Sequence, residues 1–328
     1  MNESFDIGVI GAGAWGTALA VLQAGAGRRV CLWSRDAGHA ALMRKTRMNS
    51  RLPGCVLPES LTLASDFPQA RLLLFAVPVQ HARGVLRALP ESPAPLVLCC
   101  KGLEAGTLKL PHELARELRP ETPVAILTGP NFAYEIAAGL PAAAVLAAAE
   151  APLRARLMRD LRSATLRLYG CPDMVGAALG GAAKNVVAIA SGVVMGAGYG
   201  ENARAALITR GIAEIARLAL ALGGKAETLS GLSGLGDLLL TCTGATSRNF
   251  SLGFELGRNL PLADILARRR GVTEGVATAP ALLARARGAG VEMPITEVVA
   301  ALLAGDLNAA GAMAALMARA EKDEYPAC

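Results

Sequence analysis

Residues 5–25 read FDIGVIGAGAWGTALAVLQAG, and the order of residue types in this stretch decides the fold. A short apolar strand, FDIGVI, runs directly into GAGAWG and then into the helix-forming TALAVLQAG. Gly11, Gly13 and Gly16 thus give G-x-G-x-x-G at a strand-to-helix junction. In that setting the first glycine allows a tight turn and the second lets a pyrophosphate approach the backbone. The third lets helix and sheet pack closely, and the helix N-terminus faces the phosphates. A second strand, RRVCLWS, follows and completes the context in which the pattern reads as a dinucleotide site.

Outward from this unit the alternation continues. LLLFAVP, PLVLCCKG, VAILTGP, AAAVLAAA and TLRLYG read as further strands. Between them lie helices in RDAGHAALMRK, at 80–89, after Pro111, at 131–138 and at 152–161. Short apolar strands separated by helices predict a parallel, doubly wound α/β sheet. The second strand ends LWSRD, where NAD-specific domains place an acid on the ribose hydroxyls. Here Ser34 and Arg35 precede Asp36, and Arg35 can pair with a 2′-phosphate, so NADPH is favoured and NADH is the alternative.

After Tyr169-Gly170-Cys171-Pro172 the strand signals stop. We divide the chain into a dinucleotide-binding Rossmann-type domain, 1–172, and an all-α substrate domain, 173–328. Helices are expected at 174–200, 202–222, 235–242, 248–257, 262–269, 275–288, 295–304 and 308–319, with the tail EKDEYPAC frayed. Lys184 is the only charged residue between Met174 and Gly200. A lone buried ammonium costs several kcal/mol unless paired, so its retention points to function. Three polar islands stand out in this half: Lys184 with Asn185; Asp237 and Thr241, four apart and on one face if helical; and Ser247, Arg248 and Asn249. Asp237 as a helix N-cap is the structural alternative.

Composition narrows the function classes. With 53% hydrophobic but only 4% aromatic residues, the interior is built from Ala, Leu and Val, which suits helix-rich packing. Lys and Arg exceed Asp and Glu by 33 to 27, a diffuse excess whose densest cluster is Arg268 to Arg270; this gives no nucleic-acid patch. The seven cysteines form no CxxC pair and His39, His81 and His112 lack ligand spacing, so reduced thiols and no metal site are expected. The N-terminus, MNESFDIGVIG, lacks the basic region of a signal peptide, which gives a cytoplasmic expectation. Residues 174–200 are long enough to cross a membrane but are rich in Gly and Ala and carry a central lysine. A buried central helix is expected, with no membrane span.

The motifs GAGAWGTALA, KGLE, TGPNFAYEIAAGLPAA, GGAAKNVVAIASG, NARAALITRG, GLSGLGDLLLTCT, SRNFSLG, TEGVAT and VEMPITE run in order over nearly the whole chain. The set resembles the bacterial NAD(P)-dependent glycerol-3-phosphate dehydrogenase family. That resemblance implies a Rossmann domain followed by a helical domain like the 6-phosphogluconate dehydrogenase C-terminal one. It also implies reversible reduction of dihydroxyacetone phosphate to sn-glycerol 3-phosphate for phospholipid synthesis, and is compatible with a homodimer. By resemblance Lys184 is the proton donor and acceptor, and Lys101, Gly129, Asn131, Asp237, Arg248 and Asn249 meet substrate, joined by Asn185, Thr241 and Ser247 from the polar islands. Ala14, Trp15, Arg35, Lys101, Ala133, Arg248, Val272 and Glu274 join Gly11, Gly13 and Gly16 as cofactor positions. Asn131 departs from the Ser or Thr usual after TGP. A hydroxyacid dehydrogenase of similar plan and a non-enzymatic nucleotide-binding redox sensor are the rival readings.

Overall fold

The computed structural model describes residues 4–244, 246–269 and 271–319; the tail EKDEYPAC lies outside them. The first half runs β1 (Phe5–Ile10), α1 (Ala14–Gly25), β2 (Val30–Trp33), α2 (Ala37–Thr46), β3 (Thr62–Ala64), β4 (Ala70–Phe75), α3 (Val79–Ala88), β5 (Leu96–Leu98), α4 (Pro111–Leu118), β6 (Val124–Thr128), α5 (Ala133–Ala137), β7 (Ala142–Ala147), α6 (Ala151–Asp160) and β8 (Leu166–Cys171). The second half runs α7 (Met174–Gly196), α8 (Gly200–Ala221), α9 (Ala226–Ser230), a π turn (Leu232–Gly236), α10 (Asp237–Thr243), α11 (Arg248–Gly257), α12 (Leu262–Arg268), α13 (Glu274–Gly288), α14 (Pro294–Ala304) and α15 (Ala309–Met317).

The eight strands form one sheet in the order β3-β2-β1-β4-β5-β6-β7-β8. Helices cover both faces: Leu19, Met43, Ile136 and Leu157 share one buried cluster, whereas Val85 and Leu114 belong to another that continues through α7 to Leu282 of α13. The doubly wound expectation holds, with two differences. The three-residue edge strand β3 was missed because it is too short to show alternation. β7 pairs antiparallel with β6 where a parallel strand was expected. At about 1.5 Å per residue, the five-residue α5 spans too little to carry the chain back to the starting edge of the sheet, so β7 begins where β6 ends.

Helix α7 is the pillar of the second half and ends at Gly196, four residues before the expected stop, because Gly198 and Gly200 take positive φ. Asp173 starts it, its carboxylate accepting from the backbone N–H of Gly176 at 2.8 Å and that of Lys225 at 2.9 Å. One seam of α7 meets α11 through glycines on both sides. A Cβ on Gly253 would lie 1.9 Å from the Ile189 carbonyl oxygen, and one on Gly192 would lie 2.0 Å from that of Phe250. α7 is the one described helix long and apolar enough to cross a membrane, and 94% of its most apolar window is buried within the protein. The short α9 and the π turn carry no long periodic pattern and were not anticipated.

Candidate active site

Strand order reverses between β1 and β4, which opens a crevice at their C-terminal ends. The three glycines there have separable jobs. Gly11 has φ +114° and a Cβ would press on the Ala76 carbonyl at 2.9 Å. Gly13 faces open space, so a ligand can come against its backbone, whereas a Cβ on Gly16 would lie 2.0 Å from the Gly11 oxygen. Gly13 is the N-cap of α1 and supplies no side-chain acceptor, so the first N–H groups of that helix are left for a ligand. This cradle fits a dinucleotide pyrophosphate. Arg35, two residues beyond β2, is exposed and makes no hydrogen bond or ion pair among the described residues, whereas Asp36 caps α2 by accepting from the His39 N–H at 3.1 Å.

Beside the turn lies an open cleft with a cavity volume of about 190 Å³. Ala14, Trp15 and Ala133 line it from the sheet side, as do Lys101 after β5 and Asn131 after β6. Lys184, Asn185, Thr241, Ser247, Arg248 and Asn249 line it from the helical side, with Val272 and Glu274 at the start of α13. Gly11, Gly13, Gly16, Gly129, Asp237 and Arg35 are not on its wall.

Asp237 is fully buried, and each of its carboxylate oxygens holds one ammonium. Lys101 Nζ donates to Oδ2 at 2.6 Å and Lys184 Nζ donates to Oδ1. Thus Asp237 is no N-cap: Gly236 takes that position, and the π turn before it aims the carboxylate inward. Lys184 also donates to Thr241 Oγ1 at 2.9 Å, and Thr241 donates to the Asp237 carbonyl at 2.6 Å. Lys101 also donates to the Gly129 carbonyl at 3.4 Å, although Gly129 does not line the cleft. Two cations against one anion leave a net positive charge facing the cleft. Burial, reinforced by Lys101 and opposed by Asp237, draws the Lys184 ammonium down to about 8, where it can both give and take a proton near neutrality.

A second network braces the helical wall. Asn185 Nδ2 donates to Glu274 at 3.3 Å, Asn249 Nδ2 donates to Asn185 Oδ1 at 2.9 Å, and the Gly275 N–H donates to Asn249 Oδ1 at 3.0 Å. Burial pushes the Glu274 carboxyl above the usual range. Asn249 therefore has one N–H left for a ligand. Ser247 spends its hydroxyl oxygen as the N-cap of α11, accepting from the Phe250 N–H at 3.3 Å. Arg248, at the first position of that helix, is exposed, and its guanidinium has no hydrogen-bond or ion-pair partner among the described residues. A planar cation with free donors at a helix N-terminus suits a phosphate.

Asn131 donates to the Ala143 carbonyl at 3.2 Å, and its Oδ1, like Trp15 Nε1, is buried without a partner among the described residues. Sequence reasoning missed four lining residues: Cys99, Phe132, Leu240 and Thr246. Cys99 and Phe132 sit inside motifs read for their charged or glycine members, and strand-end position alone would have flagged Cys99.

Comparisons with known proteins bear on the family and the fold. The family described as NAD-dependent glycerol-3-phosphate dehydrogenase N-terminus matches residues 6–153, and its C-terminus counterpart matches residues 173–314. A glycerol-3-phosphate dehydrogenase [NAD(P)+] of Acidiphilium cryptum is 57% identical over 324 residues, covering 99% of this chain and all of that protein. One from Gluconobacter oxydans is 53% identical, covering 92% and 94%. The crystal structure of glycerol-3-phosphate dehydrogenase from Coxiella burnetii superposes with a TM-score of 0.92 at 37% identity, covering 96% of this chain and 99% of that one.

Proposed function

Because the chain belongs to the NAD-dependent glycerol-3-phosphate dehydrogenase family, we propose that its cleft reduces dihydroxyacetone phosphate reversibly to sn-glycerol 3-phosphate, with Lys184 supplying the proton. The chain is an NAD(P)-dependent oxidoreductase. The observation that carries the proton assignment is the buried Lys184, held by Asp237 and Thr241 in the same cleft as Ala14 and Trp15.

When bound, the reduced nicotinamide supplies hydride to the carbonyl carbon. The turn Gly11, Gly13 and Gly16, with Ala14 and Trp15, would hold the dinucleotide. Arg35 would take a 2′-phosphate, which favours NADPH; Lys101, Ala133, Arg248, Val272 and Glu274 complete that set. As charge grows on the substrate oxygen, Lys184 transfers its uncommitted proton there, and Lys101 keeps the surroundings positive. Asp237 fixes both ammoniums and Thr241 sets the direction of one. Arg248 and the spare N–H of Asn249 hold the phosphate, which orients the carbonyl before reaction. Asn131, Asn185 and Ser247 line the same pocket, and Gly129 meets it through its carbonyl's bond to Lys101.

We divide the chain into domains at 172/173, where β8 gives way to α7. Phospholipid synthesis as the product's use, a cytoplasmic location and a homodimer belong to the same reading and rest on the family resemblance. Initial rates with dihydroxyacetone phosphate and NADPH test it. The phosphorylated ketone is turned over and short hydroxy acids are not; the reverse pattern overturns it.

A further inference from the structure

Arg35 lies between two residues that are both bound by one histidine. The His39 backbone N–H donates to the Asp36 carboxylate at 3.1 Å, and its ring Nδ1 lies 3.3 Å from the Ser34 hydroxyl. The other ring nitrogen, Nε2, lies 3.2 Å from Asn49 Oδ1. Asn49 in turn donates to the Ala12 carbonyl at 3.2 Å and to Thr17 Oγ1 at 2.7 Å, which roots the chain in the glycine-rich turn and α1. Ser34, Asn49 and Thr17 are buried.

The direction of every proton follows from one fixed end. The Ala12 carbonyl only accepts, so the Asn49 amide must present Nδ2 to it and Oδ1 to the ring. The Arg51 N–H donates to that same Oδ1 at 2.9 Å, which fixes it a second time. In the neutral ring His39 Nε2 therefore carries the proton, Nδ1 is the acceptor, and the Ser34 hydroxyl donates to it. Ser34 is thereby committed to the protein and Asp36 is engaged through one oxygen as the α2 cap, whereas Arg35 has no hydrogen-bond or ion-pair partner among the described residues.

We infer that His39 is a positioning residue for cofactor selectivity: its ring ties Ser34 to Asn49 and so fixes the backbone from which Arg35 presents its guanidinium to the adenosine ribose. This rests on the reading that Arg35 meets a 2′-phosphate. It adds that selectivity depends on a residue whose ring bonds, among the described residues, only to Ser34 and Asn49. The Asp36 cap uses the backbone N–H of residue 39 and survives loss of the ring; what is lost is the hold on Ser34, so Arg35 is no longer fixed toward a 2′-phosphate, which disfavours NADPH and leaves NADH binding intact.

The test is steady-state kinetics of His39→Leu with each cofactor. Loss of the ring's two bonds raises KM for NADPH about tenfold, with KM for NADH and both kcat values within about twofold, because Asn49 keeps its bonds to Ala12 and Thr17. His39→Gln, which retains one donor toward Asn49, recovers part of the preference. Equal changes for both cofactors, or none, overturn the inference. Ser34→Ala deletes one bond with little risk to folding and moves the ratio the same way by a smaller factor; an unmoved ratio also counts against it. Arg35→Ala separates the levels. If it abolishes the NADPH preference while His39→Leu and Ser34→Ala do not change it, only the role of His39 fails; if Arg35→Ala changes nothing, the 2′-phosphate reading fails and takes this one with it.

Discussion

The ammonium nitrogen of Lys184 lies 2.9 Å from the hydroxyl of Thr241, which has already given its own proton to the carbonyl of Asp237 one turn earlier. Thr241 can therefore only accept from the lysine. With a second N–H on Asp237, the ammonium keeps one proton to give away.

That proton titrates where activity is measured. Burial and Lys101 draw Lys184 down to about 8, so ketone reduction, which needs the ammonium, declines as pH rises through about 8. Alcohol oxidation needs the neutral amine and rises through the same pH. Lys101→Met removes the repelling cation and moves both midpoints upward in pH–rate profiles; unmoved midpoints would detach Lys101 from the effect.

Arg248→Lys keeps the charge but loses the planar fork. KM for dihydroxyacetone phosphate should rise roughly ten- to hundredfold, with a smaller fall in kcat. Saturation kinetics check this, and an unchanged KM would remove Arg248 from phosphate binding.

The α7–α11 seam sets a stability test. Gly253→Ala drives a methyl group to within bonding range of the Ile189 carbonyl and should cost at least about 3 kcal/mol, read as a large drop in Tm. Gly25→Ala, where a Cβ meets nothing within 4 Å, should be neutral or stabilising. Similar melting of the two variants would contradict the packing described.

Glu214 of α8 is buried and accepts from the Ile295 N–H at 2.7 Å at the start of α14. Burial outweighs that bond and pushes its carboxyl up to about 7. The folded state therefore binds a proton that the unfolded state has lost between pH 4.5 and 7, and stability falls as pH rises through that window, by up to roughly 3 kcal/mol. Glu214→Gln should flatten this part of the wild-type profile in thermal unfolding, and an identical slope would refute it.

The readily legible parts were those where one residue type has one physical use. The three glycines of the β1–α1 turn stand out by their spacing at a strand-to-helix junction, and Lys184 by being the lone charge in its helix. Arg248 and Asn249 were legible as a polar island at a helix start, but the division of labour between them was not. Asn249 and Ser247 spend most of their bonding capacity on Asn185, Gly275 and Phe250, partners distant in sequence or fixed only by local backbone geometry. The antiparallel β7 was hidden because direction depends on how far α5 carries the chain, which apolar content does not encode. Likewise the sharing of one carboxylate by Lys101 and Lys184 joins residues 136 and 53 positions from Asp237, beyond the reach of any periodicity.

The role of Lys184 is tested most directly by turnover of Lys184→Ala with dihydroxyacetone phosphate and NADPH, with and without a small primary amine. Asp237 keeps Lys101 as a partner in this variant, so its charge is not stranded. Turnover should fall at least about a hundredfold with NADPH affinity nearly unchanged, and added methylamine should restore part of it. Wild-type turnover without added amine would contradict the proton-donor assignment outright.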